Sequence, residues 1–163
     1  MHETTPSLQD WDEKNMDADC KYAFNKFFGV SNKEADVLFK KSPLAALEDI
    51  RSMPPKPFCY YLLAFRDYLL SGDHGFLNGS DAASGYLNTI KEALENSPLV
   101  ISEIMPELKA SIVFLSNNQS YFDADPDIYG DFSIRAADIM QLYEKVILGH
   151  DYKSMGSQSL GSE

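Results

Sequence analysis

The stretch that follows Pro54-Pro55-Lys56-Pro57 limits the fold more than any other part of the chain. Phe58, Tyr61, Leu62, Phe65 and Leu69 recur at +3, +4, +7 and +11, which places them on one helical face. Tyr60, Leu63 and Ala64 make the opposite side apolar too, and a helix that is hydrophobic most of the way round has to be enclosed by neighbours. The pattern therefore predicts a central helix near residues 57–71, stopped by Gly72. A buried strand over its first eight residues is the competing reading, since aromatic runs also favour sheet. The unbroken continuation from Arg66 to Leu70 favours helix, and the apolar run from Phe58 to Phe65 is far shorter than the roughly 20 residues needed to span a bilayer.

Punctuation sets out the neighbours. Asp17 and Asp19 can cap a helix whose apolar side holds Cys20, Ala23, Phe24, Phe27 and Phe28, with Gly29 as its stop. Ser31 and Glu34 have the spacing of a capping box. Ser42-Pro43 and Ser97-Pro98 each join a capping hydroxyl to a proline at the first helical position, where the missing N–H costs nothing. After a Gly-rich loop, Gly72 to Gly79, a helix capped by Ser80 or Asp81 is lined by Ala83, Tyr86, Leu87, Ile90 and Leu94. Pro106 must kink or divide the helical pattern from Pro98 to about Asn117. Ser133 can cap an amphipathic helix bearing Ala136, Ile139, Met140, Tyr143, Val146 and Ile147, with Arg135 facing away and Gly149 ending it. Period-two alternation is absent, so the expectation is an all-α, single-domain bundle of about six to seven helices. Residues 1–16 read as an acidic, partly ordered segment, 17–149 as the helical domain and 150–163 as a disordered Ser/Gly-rich tail.

Charge excludes some partners and suggests others. Fourteen Lys and Arg against 25 Asp and Glu give −11, which disfavours a nucleic-acid backbone or an anionic membrane surface as partner. Residues 1–20 carry −5, residues 21–57 carry +3 and residues 58–163 carry −9. This dipolar distribution also favours head-to-tail self-association. Cys20 and Cys59 are read as two reduced thiols, because neither has a second Cys or a His at zinc-binding spacing. No basic segment leads into an apolar one at the start, so no signal peptide is expected and the expected location is cytoplasmic.

Three regions carry candidate chemistry. Between Lys109 and Arg135 there is no base, and this gap holds Tyr121, Phe122, Asp123, Asp125, Asp127, Tyr129 and Asp131. Aromatic anchors among unpaired carboxylates suit a basic protein partner, which they would bind and steer. The same stretch partly matches a calcium loop over residues 123–134, with Asp123, Asp125 and Asp127 at its first three oxygen positions. It departs from that pattern at Ile128, where the turn needs glycine, and at Ile134, where a bidentate glutamate belongs. It also reads as a solvated turn shaped by Asp125-Pro126. In the Gly-rich loop, His74 beside Asp73 could form a general base oriented by a carboxylate, which would suit a small-molecule-binding or hydrolytic pocket. No nucleophile elbow or phosphate-binding loop accompanies it, and no cofactor or metal is expected. Trp11, with Leu8, can staple the N-terminal segment to the bundle or to a partner. The favoured expectation is a non-enzymatic, acidic protein-binding module of the kind that includes immunity-type inhibitors.

Overall fold

Proline placement starts the central helix slightly earlier than its apolar pattern. In the computed structural model, which describes residues 4–158 with side chains through residue 150, this helix (α4) runs from Pro55 to Leu70, and Pro55 and Pro57 occupy its first turn. Before it come α1 (Ala18–Phe27), α2 (Asn32–Lys41) and α3 (Pro43–Arg51). After it come α5 (Gly79–Asn96), α6 (Pro98–Ser102), α7 (Met105–Asn117), α8 (Pro126–Tyr129) and α9 (Phe132–Gln158). Short 3-10 turns at Glu13–Asn15 and Gln119–Phe122 complete the order. No strand occurs among the described residues, and the protein is an all-α bundle in a single compact domain. No described helix is long and apolar enough to cross a membrane.

The capping signals become hydrogen bonds at several of the expected places. Asp17 accepts from the Cys20 N–H at 2.8 Å, Ser31 and Glu34 form the reciprocal box, and Ser42 accepts from the Ala45 N–H at 3.3 Å. Gly29 and Gly72 follow α1 and α4 with φ of +76° and +78°, the left-handed region where glycine carries no Cβ penalty. Other caps differ. Ser97 makes no side-chain cap bond, and α5 begins at Gly79, so neither Ser80 nor Asp81 caps it. The cap of α9 is Asp131 instead of Ser133, because its carboxylate accepts from both the N–H and the hydroxyl of Ser133, at 2.8 and 2.6 Å. Gly149 does not end α9, which continues through Gln158. The expected disordered tail thus falls on helical positions 150–158 and on residues 159–163, which lie outside the described residues.

Around α4 pack α2, α3, α5, α6 and α7, as an all-round apolar helix requires. Tyr61, Leu62 and Phe65 are fully enclosed. Phe39 of α2 meets Phe65 edge-on at 5.0 Å between ring centres, and Tyr86 of α5 stacks with Phe65 at 6.0 Å. Helices α3 and α5 approach closely at Gly85, where a Cβ would meet Leu47 Cδ1 at 2.7 Å. The second half of the bundle is α5 and α7 against α9. Trp11 belongs to the core: it is wholly buried and meets Phe24 edge-on at 5.4 Å. Its indole N–H has no acceptor among the described residues. Leu8 and Phe28, by contrast, are exposed, Phe28 lying outside and stacking on Phe24 at 4.8 Å.

Candidate functional site

The two loops singled out in the sequence come together in space. The turn Gln119–Phe122 packs on the loop between α4 and α5, so that the His74 ring meets Phe122 at 5.3 Å and Tyr121 edge-on at 6.4 Å. A Cβ on Gly72 would meet the Tyr121 hydroxyl at 2.7 Å, so a larger residue at position 72 would push the Tyr121 side chain aside. Sequence separation of nearly 50 positions conceals this pairing.

The Asp73/His74 dyad is not formed. His74 is 9% exposed, and its Nε2 lies 2.7 Å from the Leu69 carbonyl, to which it donates. Its own carbonyl accepts from the Tyr68 hydroxyl at 2.7 Å and from the Asn78 amide at 3.1 Å. The Asp73 carboxylate accepts from Lys40 Nζ at 2.9 Å, and that hydrogen bond holds its carboxyl below the usual carboxylate range. The imidazole is therefore built into the loop's packing instead of facing a pocket, and Asp73 ties the loop to the end of α2.

A different feature of this loop was missed. Phe76 and Leu77 at its tip are 89% and 80% exposed, and Leu77 has φ of +57°, unusual for a branched side chain. The stem beneath is fixed, because Asn78 Nδ2 also donates to the Lys40 carbonyl at 2.7 Å. No periodic signal marks such a tip, since two adjacent apolar residues in a loop read equally well as buried.

The acidic stretch divides into residues that build and residues that face solvent. Phe122 is 1% exposed and belongs to the core, which removes it from any partner-binding set. Asp125 caps α8 through the Asp127 N–H at 2.9 Å, and Asp131 caps α9. The hydroxyl of Ser133 holds the Asp131 carboxyl below its usual value. Tyr129 turns inward, its hydroxyl donating to Asp81 at 3.0 Å and accepting from Ser80 at 3.2 Å. Tyr121, Asp123, Asp125, Asp127 and Asp131 remain exposed, joined by Ile128.

The calcium-loop reading gains no support from the geometry. A helical turn, α8, occupies the middle of the stretch, and two of its carboxylates are taken up as caps. Among the described residues no three His, Cys, Asp or Glu side chains converge on a place for a metal ion.

Two residues organise this region without a sequence signal. The Gln119 amide donates to the carbonyls of Ala124 and Gly130, at 2.9 and 2.8 Å, and its oxygen accepts from the Phe132 N–H at 2.9 Å. Arg135, expected on the solvent side of α9, is turned inward. Its guanidinium donates to Ser84 Oγ, the Ser84 and Tyr129 carbonyls and Asn88 Oδ1, at 2.7 to 2.9 Å. Burial lowers its pKa. The first base after Lys109 is thus committed to α5 and α8, and no ion pair among the described residues involves Asp123, Asp125, Asp127 or Asp131.

No protein-family model, curated protein or solved structure matches the chain.

Proposed function

We propose that the protein is a non-enzymatic binding module whose acidic face, Tyr121, Asp123, Asp125, Asp127 and Asp131, engages a basic protein partner. The observation that carries this reading is that four exposed carboxylates lie within nine positions and enter no ion pair among the described residues, while the next base along the chain, Arg135, is bonded inward. An unscreened local field of one sign raises the rate of encounter with a patch of the opposite sign. The exposed Phe76 and Leu77 on the adjoining loop supply apolar contact area that carboxylates alone lack. An immunity-type inhibitor of a basic toxin or nuclease is one concrete form, offered on analogy of mechanism alone.

Asp123 and Asp127 make no side-chain cap bonds, so replacing both with Asn removes two charges while leaving the helix ends intact. After a stoichiometric partner has been isolated from the native cell, stopped-flow association is measured at low and high salt. The parent chain is expected to associate at least tenfold more slowly at high salt, and D123N/D127N to be slow at low salt with a flatter salt dependence. Equal rates and equal salt dependence for the two proteins overturn the reading.

A further inference from the structure

A cleft of about 330 Å³ lies where the α3–α4 turn meets the α5–α6 corner, and it shares no lining residue with the acidic face. Its inner surface is apolar, with Met53, Phe58 and Ala93 buried and Val100 half-buried. Its size is near the lower end of the roughly 300–1,000 Å³ range of small-molecule sites.

The mouth of the cleft selects against charge. Arg51 Nε and Glu92 Oε2 are 3.0 Å apart across it, so the two ionic groups there cancel. A helix N-terminus ordinarily attracts anions through its free N–H groups. At α4 this is blunted: Pro55, which lines the cleft, and Pro57 have no N–H, and the Phe58 N–H is used by the Pro54 carbonyl at 2.9 Å. Beside that balanced pair, the mouth offers two neutral groups for hydrogen bonding, the side-chain amide of Asn96 and the hydroxyl of Ser97, which makes no cap bond.

We infer that this cleft binds a neutral amphiphile, an alkyl-sized apolar body against Met53 and Phe58 with a hydroxyl or carboxamide head at Asn96 and Ser97. A charged head would lose hydration at the mouth and find no uncompensated counter-charge in return.

The test uses the full chain, labelled with nitrogen-15, titrated separately with 1-octanol, octanoate and octylammonium near neutral pH. Octanol is expected to give saturable amide shifts centred on Thr89, Ala93 and Val100, with an affinity about tenfold above either ion, the ratio that ~1.4 kcal/mol produces. Ala93→Phe should fill the cleft and abolish the response. Because that substitution is made at a buried position, Glu92→Gln provides the second arm at an exposed one. It leaves Arg51 uncompensated, so octanoate should gain about tenfold while octanol is unchanged. Shifts that stay linear and scatter over the surface overturn the proposal. So does octanoate binding the parent chain as tightly as octanol, or a ranking that Glu92→Gln leaves unaltered.

Discussion

Gln119 shows how much of a surface can depend on a side chain that no pattern marks. Its amide has two N–H groups and an oxygen, and all three capacities are met by backbone groups at +5, +11 and +13 along the chain. Gln119→Ala is expected to destabilise the fold by about 3 kcal/mol, since three hydrogen bonds are lost and each contributes roughly 1 kcal/mol net. Urea titration measures this. Gln119→Glu keeps the acceptor for Phe132 but sets a carboxylate against two carbonyl oxygens, so at neutral pH it should cost at least as much. A stability within error of the parent for both variants would show that the stretch 119–132 is held by other contacts. Arg135 departs from its helical pattern for a related reason. Helical spacing placed it opposite the apolar face of α9, yet Ser84 and Asn88, one turn apart on α5, together with the Tyr129 carbonyl, offer acceptors that a guanidinium fork can reach. Spacing within one helix carries no information about acceptors on another.

Local signals were legible in proportion to how local their physics is. The cap at Ser31 and the divided helix at Pro106 depend on residues within one turn, and the structure has them as expected, with α6 ending at Ser102 and α7 starting at Met105. The central position of α4 was legible too, because an all-round apolar helix has no other stable environment. Helix stops were less legible. Gly29 and Gly72 take left-handed φ, but Gly149 stands within α9, and a Cβ there would meet nothing within 4 Å. A glycine marks an end when the following chain leaves the bundle, and composition alone does not record that. The two cases predict opposite signs. In a helix interior Gly149→Ala should stabilise α9 by about 0.5–1 kcal/mol, raising the thermal midpoint slightly and slowing amide exchange over residues 140–149. At a left-handed stop the same substitution would destabilise, so a lowered midpoint would show that α9 ends there.

For the whole molecule, the net charge of −11 works against compactness while the acidic face keeps part of it concentrated. Raising salt from about 20 mM to about 500 mM at neutral pH should therefore stabilise the fold, by ~1 kcal/mol or some 3 °C in a chain of this size, as the repulsion is screened. Acidification has two opposing phases. From neutral pH towards the sequence pI of about 4.6 the repulsion fades and stability rises. Asp73, held by Lys40, and Asp131, held by the Ser133 hydroxyl, have folded-state pKa values below the ordinary 3.8. Their contribution is thus complete above that value and is lost as the pH falls through their depressed values, while positive charge accumulates on the chain. The thermal midpoint should accordingly pass through a maximum between roughly pH 4.5 and 6 and fall steeply below roughly pH 3.8. D73N/D131N should flatten part of the acid limb, because two of the anchoring carboxylates are gone while Asp10, held by the Ser7 backbone and Lys56, remains, and should leave the salt response at neutral pH in the same direction. A midpoint that declines steadily from pH 7 downward would mean that repulsion is negligible in the native protein. The charge on the acidic face would then cost the fold nothing.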